Sequence, residues 1–411
     1  MQVLVPITAG SEPVEASVPI DVLRRAGAHV TVAAAAAGAG LLVEAMYGVK
    51  IVADANVADC ADASYDLVVL AGGLPGAENL GGCAALESIV RRHALKGGLC
   101  AAICAAPPLA LARWGLLNGV KATAHPAFVD KFPAEVTAVD ANVVVDGKVV
   151  TSRGPATAME FAFALVEQLY GKDKVDQIAK AMLVRYEPGY TIKELNPVQW
   201  QCSGTPKVLI PLANASEEME VVTIIDVLRR ANADVVVASA EDGLEVAARY
   251  GTRIVADVTL DAAAGGGQQF DLIIVPASRN KLLQTFTAAE LTDTCVCVRG
   301  GQGGMPGATT LGGKEELVGL LKRQAEAKRP YGAIGAATAQ VLEPHGLLKG
   351  RKATTGASMA DPSECENRVV VDGNLITSRS PGTAMELALA AVEKLLGAEA
   401  AREVAEALLF V

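Results

Sequence analysis

The chain repeats itself, and this repeat limits its possible folds more than any other feature of its 411 residues. Two segments near the start of each half read almost alike, so that Glu15 corresponds to Glu220 and Asp21 to Asp226. The matching pairs of segments are 14–27 with 219–232, 51–54 with 254–257, and 151–160 with 377–386. Self-similarity over half a chain indicates duplicated structural units. We therefore predict two tandem copies of one domain.

The copies are expected to span residues 1–185 and 206–411, with a linker at 186–205. The linker residues include Pro188, Gly189 and Pro197 and follow no clear periodicity, which is typical of a connecting segment. The second copy carries an extra segment, residues 277–302, that has no counterpart in the first. We expect a surface loop there, because long insertions close at modest entropic cost, and we assign it no function.

Within each copy, short apolar runs alternate with stretches of helical periodicity. This alternation is typical of an α/β fold with a mostly parallel sheet and helices on both faces. In such sheets, ligands bind beyond the carboxyl ends of the strands. The apolar runs of the first copy are 3–7, 29–33, 67–70, 99–103 and 149–152, and its helical patterns include 14–26 and 159–168.

Composition excludes several classes of function. The formal net charge is -10 and we find no cluster of Lys and Arg, so nucleic acid is not an expected partner. No apolar stretch approaches the roughly twenty residues needed to span a bilayer, so no membrane partner is expected. Eight irregularly spaced cysteines indicate reduced thiols rather than disulfides or a metal site. The chain starts on a predicted strand, and we expect a cytoplasmic protein, or an organellar one if a presequence was trimmed.

Cys104 follows the apolar run 99–103 and precedes small residues and a proline-started helix. This places a thiol at a strand-to-helix corner. The first amides of the helix are expected to lower the pKa of the thiol and to form an anion-binding pocket beside it. The alternative is a buried cysteine that only fills space in the core.

Glu15 and His125 are the groups that could move protons for such a thiolate. Glu15 could instead be an acidic residue favoured at a helix N-terminus, although that explains Glu12 better, because Glu15 has Val14 and Val18 as neighbours on its helix face. A carboxyl in an apolar pocket would have a raised pKa. His125 could also be a loop residue whose ring only caps the backbone.

The second copy helps to choose between these interpretations. It keeps Glu220, but the position of Cys104 is Gly335 and that of His125 is Gly356. Residues that only filled the core would have little reason to be lost together while their neighbours stayed alike. The joint loss favours one site that contains Cys104 and His125 and is absent from the second copy.

These residues, with three further motifs, resemble the DJ-1/PfpI superfamily over both copies. The further motifs are Gly72-Gly73, the segment 101–105 around Cys104, and 151–155. The tandem arrangement is similar to that of members found in plants. The resemblance implies a flavodoxin-like three-layer sandwich, with the cysteine at a strained nucleophile elbow and hydrogen-bonded to a protonated Glu15.

Residues next to the motifs select a branch of the superfamily. Protease-like members have a histidine directly after the cysteine, where this chain has Ala105. Amidotransferases have a glutamate two residues after the histidine, where this chain has Ala127. The remaining branch is assigned glutathione-independent glyoxalase activity, a lactate-forming lyase reaction on methylglyoxal and also glyoxal, with protein deglycase activity also ascribed to it.

The resemblance implies that Cys104 adds to the aldehyde of a small 2-oxoaldehyde. The amides of Gly73 and Ala105 would hold the resulting oxyanion, Glu15 would move the proton, and His125 would assist. No metal or organic cofactor takes part.

Two positions depart from the family pattern: Tyr47, where relatives often have a basic residue, and Ala106, where they often have glycine.

Two further expectations concern the rest of the molecule. The second copy is expected to act as a built-in partner, which makes the chain an intrachain pseudo-dimer. The alternative function is a non-enzymatic sensor of oxidative stress or a holdase chaperone, for which an accessible, oxidisable Cys104 alone would suffice.

Overall fold

The computed structural model describes residues 1–35, 40–184, 192–202, 204–276, 308–354 and 367–410. The predicted insertion 277–302 and Gly356 lie outside the described residues. Among the described residues, no helix has both the length and the apolar character needed to cross a membrane.

The first copy contains short strands and five α-helices within its described part. Its strands are β1 (Gln2–Ile7), β2 (His29–Ala34), β3 (Leu42–Glu44), β4 (Lys50–Val52), β5 (Ala55–Asn56), β6 (Leu67–Leu70), β7 (Leu99–Ile103), β8 (Lys121–Ala122), β9 (Thr137–Ala138), β10 (Val143–Asp146) and β11 (Val149–Ser152). Its helices are α1 (Pro13–Ala26), α2 (Gly76–Gly82), α3 (Ala84–Leu95), α4 (Ala158–Tyr170) and α5 (Lys172–Met182).

The remaining strands and helices lie in the described residues after 184. The strands are β12 (Ile192–Leu195), β13 (Lys207–Leu212), β14 (Asp234–Ser239), β15 (Glu245–Ala247), β16 (Arg253–Val255), β17 (Val258–Thr259), β18 (Leu272–Val275), β19 (Tyr331–Ile334), β20 (Val369–Asp372) and β21 (Leu375–Ser378). The helices are α6 (Glu218–Arg230), α7 (Leu260–Gly265), α8 (Ala308–Gly313), α9 (Glu315–Glu326), α10 (Ala384–Leu396) and α11 (Ala398–Leu408).

The two main sheets have matching topology. In the described part of the chain the first has the order β10-β11-β7-β6-β1-β2-β5, and the second has β20-β21-β19-β18-β13-β14-β17 with β12 added at its edge. In the first sheet only β10 is antiparallel to its neighbour. Right-handed crossovers from β1 to β2 and from β6 to β7 run in opposite directions, so they place α1 and α3 on opposite faces. The predicted flavodoxin-like sandwich, in two copies, is confirmed.

Helix α1 carries Glu15, and its sequence explains where the helix begins and ends. Pro13 occupies the first turn, where its missing N–H costs nothing, and the Glu12 carboxylate caps the helix by accepting the Glu15 N–H at 2.6 Å. Gly27 ends the helix with φ 94°, which suits glycine. Nearly all of α1 is buried, because α4 and α6 both pack against it.

The two copies are joined through α1 and α6 and through a shared sheet. Strand β4 of the first copy pairs antiparallel with β16 of the second, with Ile51 opposite Ile254. These two isoleucines occupy the same position in the sequence repeat, so the strands pair about a local two-fold axis. With β3 and β15, they form a four-stranded sheet to which both copies contribute two strands. The two copies therefore form an intrachain pseudo-dimer.

The predicted linker is more structured than its composition indicates. Ile192–Leu195 forms β12, which pairs parallel with β20 of the second sheet. The Trp200 indole is buried and donates to the Gly373 carbonyl at 2.9 Å, and the Cys202 thiol donates to the Leu395 carbonyl. The proline and glycine residues of this segment favour a loop, and pairing with a distant strand leaves no hydrophobic periodicity in the local sequence. These contacts were therefore not predicted. The domain boundaries at 185 and 206 stay a prediction.

The pairing of α1 with α6 predicts the behaviour of a fragment that ends at Arg185. It would expose the face of α1 that α6 covers, and apolar surface of that kind drives association. We expect fragment 1–185 to be poorly soluble or to dimerise, with a mass near twice that of one chain by light scattering. A well-behaved monomer with full activity would contradict the pseudo-dimer interpretation.

Candidate active site

Cys104 lies at the corner that sequence analysis predicted, directly after β7. Its backbone has φ 65°, an unusual conformation for a residue with a side chain. The Cys104 N–H donates to the Ser152 carbonyl at 2.9 Å, and the Cys104 carbonyl accepts the His125 N–H at 3.0 Å. Gly335 has φ 58°, and its N–H donates to the Ser378 carbonyl in the same way. The second copy therefore keeps the corner without the thiol.

Glu15 approaches this corner from the first turn of α1. Its side chain is fully buried, and Oε2 accepts the Gly72 N–H at 2.8 Å. The carboxyl also borders the Cys104 side chain, because both groups line the space beside Gly72, and each shifts the pKa of the other. Gly72 makes this approach possible, because an added Cβ would lie 2.6 Å from Cys104 Cβ and 2.7 Å from Glu15 Oε2. The structure therefore brings two of the predicted catalytic residues into contact.

Burial controls the ionisation of both groups. It raises the pKa of Glu15 from 4.5 to about 7, against opposing hydrogen bonds from Cys104 and Gly72. Burial and the negative charge of ionised Glu15 also raise the pKa of the Cys104 thiol well above its ordinary value, and the Gly73 amide opposes this. The expectation of a lowered thiol pKa is therefore wrong, since the helix amides do not compensate for burial beside a carboxylate.

Protonation of Glu15 determines whether the thiol or the thiolate form of Cys104 is favoured. An ionised Glu15 repels the thiolate, whereas a protonated Glu15 removes that charge and donates its O–H to the thiolate. Because the pKa of Glu15 is about 7, both forms of the carboxyl occur near neutral pH. The two groups therefore titrate as a pair that shares a proton.

His125 joins the site through its backbone, since its N–H binds the Cys104 carbonyl. Its ring Nδ1 accepts the Ala127 N–H at 3.2 Å, which leaves the proton of the neutral ring on Nε2. Burial lowers the pKa of His125, and Arg153 and Arg230 add to this effect. The ring does cap its loop, as the alternative interpretation stated, but a neutral imidazole with its proton on Nε2 remains able to donate.

The two residues predicted to bind an oxyanion flank Cys104. The Gly73 amide acts on the Cys104 sulfur and lowers the pKa of the thiol. Gly73 has φ 86°, and a Cβ there would lie 2.5 Å from the Gly10 carbonyl and from the Glu12 nitrogen. Ala105 is fully buried, and its nitrogen lies 3.0 Å from a Cβ built on Gly72. Their role as an oxyanion hole stays a prediction.

Sequence analysis missed a residue from the second copy. Arg230 of α6 donates to the Glu12 carboxylate at 2.7 Å, and it also binds Asp226, one turn earlier, at 2.6 Å. Its guanidinium lies 4.4 Å from the ring centre of Tyr47. Glu12 in turn accepts the Glu15 N–H. Tyr47, where relatives often have a basic residue, therefore stacks against an arginine that the second copy supplies.

The same contacts recur at the pseudo-symmetric position. Arg25 of α1 binds Asp21 and Glu217, and its guanidinium lies 4.3 Å from the ring centre of Tyr250. The repeated Asp-x-x-x-Arg spacing in α1 and α6 was the available signal for both arginines, but nothing in it shows that they reach across to the other copy.

The described residues include one group of carboxylates close enough to ligate a cation. Asp21, Glu217 and Glu218 are buried, with ligand atoms within 4.8 Å of one another. Arg25 already binds Asp21 and Glu217, so a guanidinium supplies the positive charge there. Near Cys104, the groups described above have the chemistry of a nucleophile, a proton carrier and amide donors.

The comparisons with known proteins agree with this geometry. The model of the DJ-1/PfpI family matches residues 1–168, 206–283 and 287–394. The chain belongs to the DJ-1/PfpI family. It is 49% identical over 414 residues to Protein DJ-1 homolog B of Arabidopsis thaliana, covering 99% of this chain and 88% of the relative. Protein DJ-1 homolog A of the same plant is 46% identical, with 99% and 98% covered. The predicted family membership is confirmed.

A more distant member of the DJ-1/PfpI family carries a functional name. It is the Glutathione-independent glyoxalase DJR-1.2 of Caenorhabditis elegans, 34% identical over 173 residues. The alignment covers 42% of this chain and 90% of that protein. This family therefore includes a protein named as a glyoxalase.

The raised pKa of Glu15 predicts a pH-dependent effect of Glu15→Gln on stability. A carboxyl whose pKa is raised by folding stabilises the fold below its ordinary pKa, and this contribution is lost as the pH rises through about 7. The shift from 4.5 to about 7 corresponds to about 3 kcal/mol. We therefore expect Glu15→Gln to gain stability relative to wild type between pH 5 and pH 8, measured by chemical unfolding. An equal difference at both pH values would contradict the assignment.

The contact between Arg230 and Glu12 predicts an asymmetry between two matched variants. Arg230→Met and Arg25→Met each leave two buried carboxylates without their arginine, so both should lower the free energy of unfolding by about 3 kcal/mol. Of the two arginines, it is Arg230 that lowers the pKa of Glu15, the carboxyl beside the thiol. Its loss removes a nearby positive charge, so we expect the pH midpoint of Cys104 alkylation by iodoacetamide to rise in Arg230→Met and to stay unchanged in Arg25→Met. Equal midpoints in both variants would show that Arg230 does not act on the site.

Proposed function

We propose that this protein is a glutathione-independent glyoxalase that converts methylglyoxal, and also glyoxal, to the 2-hydroxy acid. The observation that carries the proposal is the juxtaposition of Cys104 and Glu15 at Gly72, where an added Cβ would collide with both, beside the Gly73 amide, which lowers the pKa of the thiol. This arrangement supports the roles proposed below for a nucleophile, an oxyanion donor and a proton carrier whose pKa is about 7. The name of the Caenorhabditis elegans relative adds support from the family.

The first step joins the sulfur to the aldehyde carbon. The Cys104 thiolate attacks the carbonyl carbon and forms a C–S bond, and the carbonyl electron pair moves to the oxygen. The amides of Gly73 and Ala105 stabilise that oxyanion, which then takes a proton from Glu15 to give a hemithioacetal.

The second step moves a proton between neighbouring carbons. Ionised Glu15 removes the proton from the former aldehyde carbon, and the electron pair forms the double bond of an enediol while the ketone oxygen accepts a proton from His125 Nε2. Glu15 then returns its proton to the second carbon, while His125 takes a proton from the hydroxyl on the sulfur-bearing carbon, and that oxygen becomes the thioester carbonyl. The product at this stage is a thioester of the 2-hydroxy acid on Cys104.

The last step releases the product and restores the thiol. A water molecule adds to the thioester carbonyl and the C–S bond breaks, which releases the Cys104 sulfur. The proton that water gives up is then shared by Cys104 and Glu15. The balance is one methylglyoxal and one water for one lactic acid. A buried carboxyl with a pKa of about 7 suits a group that must both give and accept a proton at neutral pH.

The second copy does not take part in this chemistry. Gly335 offers no nucleophile at the corner. Deglycase activity on proteins would use the same thiol on a related adduct, and we include it in the proposal as a second substrate class. The compartment proposed for this activity is the cytoplasm.

A redox-sensing role is the second candidate, and one observation favours it. Cys104 is 8% exposed, which a small oxidant can reach, and a protonated Glu15 and the Gly73 amide could donate to a sulfinate as well as to an oxyanion. This role needs neither His125 nor turnover.

The test is lactate formation from methylglyoxal without glutathione. We expect turnover by the intact chain, and a loss of at least about 100-fold in kcat/KM for both Cys104→Ser and Glu15→Gln, because each removes a group that bonds to or moves a proton of the substrate. Cys83→Ser is the matched control: this half-buried thiol lies outside the site, and its loss should leave turnover unchanged. Absence of turnover in the folded, reduced wild type would favour the redox role.

A further inference from the structure

Strand β10 forms an edge of the first sheet, whereas its counterpart in the second copy, β20, is covered by another strand. Residues 143–147 and 369–373 are identical, Val-Val-Val-Asp-Gly, and occupy the same place in the repeat. In the described part of the chain, β12 pairs with β20, and β10 is the last strand of its sheet. Val145 is 45% exposed, whereas the corresponding Val371 is 0% exposed. The same sequence therefore presents a covered edge in one copy and an open edge in the other.

Residues 192–202, the docked segment, cover the edge of β20. The Leu195 carbonyl accepts the Gly373 N–H at 3.0 Å. The Trp200 indole donates to the Gly373 carbonyl at 2.9 Å, and the Cys202 thiol donates to a carbonyl near the end of α10 at 3.1 Å. The second copy therefore holds the docked segment through backbone groups, which a hairpin of the same geometry would also offer.

The hairpin of β10 and β11 has the geometry of the hairpin that β20 forms with β21. The Asp146 carboxylate accepts the Lys121 N–H at 2.8 Å, and the Asp372 carboxylate accepts the Lys352 N–H at 2.7 Å. The glycine after each aspartate has a positive φ, 59° in the first copy and 63° in the second. The two strands of each hairpin pair in the same register. The first copy therefore offers the same backbone donors and acceptors as the edge that the docked segment covers.

A cavity extends the open edge of β10. It has a volume of about 370 Å³, and its lining includes Met1, Lys148 of the β10–β11 turn and Leu169 of α4. The residues at these positions in the second copy are Pro206, Asn374 and Leu395. The Cys202 thiol donates to the Leu395 carbonyl there, and Pro206 follows the docked segment along the chain. The cavity of the first copy therefore lies along the path that the docked segment takes in the second.

We propose that β10 and this cavity form a groove that binds an extended peptide segment of another protein, added to the sheet as a parallel strand. Strand addition of this kind uses main-chain hydrogen bonds for affinity and side-chain pockets for specificity. The ligand has a short strand followed, as in the docked segment, by a side-chain donor that reaches the Gly147 carbonyl. The docked segment cannot serve both edges, because it is already bound to β20. This inference does not depend on the proposed glyoxalase activity.

Two residues would supply the central hydrogen bonds. Asp146 and Val149 flank a two-residue turn and bond to each other, so Val145 directs its N–H and C=O away from β11. On the docked segment, the Leu195 carbonyl points to β20, and the N–H of the same residue points to the same side. The backbone of Val145 and that of the peptide residue equivalent to Leu195 therefore face each other in the groove.

The experiment measures fluorescence anisotropy of a labelled peptide of residues 192–202 as the full chain is added. The peptide carries Cys202→Ser, which keeps a side-chain donor and prevents oxidation. We expect saturable binding at one site per chain. Val145→Pro should weaken binding at least about tenfold, because proline removes the N–H that points out of the sheet, and an edge strand tolerates proline at such a position.

A change in the peptide tests the same contact without altering the protein. N-methylation of the peptide at Leu195 removes the N–H that faces β10, and we expect it to weaken binding at least about tenfold. N-methylation at Glu194 is the matched control, since successive residues of a strand direct their N–H groups to opposite sides. That peptide should bind as the unmodified one does.

Three results would overturn the proposal. The first is the absence of saturable binding to the wild-type chain. The second is equal binding by the wild type and a folded Val145→Pro variant, because the peptide would then bind elsewhere, for example on β20 in place of the docked segment. The third is a wild-type chain that dimerises by light scattering while Val145→Pro is monomeric, since a second copy would then occupy the edge.

Discussion

The packing of α1 against α6 is the contact on which the rest of this structure depends. Helix α1 carries the cap Glu12, the proton carrier Glu15 and the crossing Arg25, and α6 carries Arg230. Because the helices meet about a local two-fold axis, each one presents its arginine to the acidic N-terminus of the other. One helix pair thus determines the domain arrangement and the electrostatics around the thiol.

The fold was predictable because the same pattern of strands and helices occurs in both copies of the sequence repeat. The alternation of strand and helix patterns, confirmed by a second copy, predicted both sheets, and the joint loss of Cys104 and His125 pointed to one site. The approach of Glu15 to Cys104 followed from the family resemblance, and the structure shows the space for it at Gly72, where a Cβ would collide with both groups.

What escaped prediction depends on long-range geometry. The contact of Arg230 with Glu12 joins residues 218 positions apart, and no local pattern reports it. The ionisation of Cys104 was predicted in the wrong direction, because a helix terminus can be read from sequence whereas the burial of the whole pair cannot. Strand β12 was missed for the same reason, since its partner β20 lies far along the chain.

The covalent connection of the two copies changes how the site responds to dilution. In a dimer of separate chains, an arginine supplied by the partner is lost whenever the concentration falls below the dissociation constant. Here Arg230 reaches Glu12 from within the same chain, so its local concentration is set by the connecting segment and not by the amount of protein in solution. The environment of the thiol is therefore the same in a single isolated molecule as in a concentrated solution.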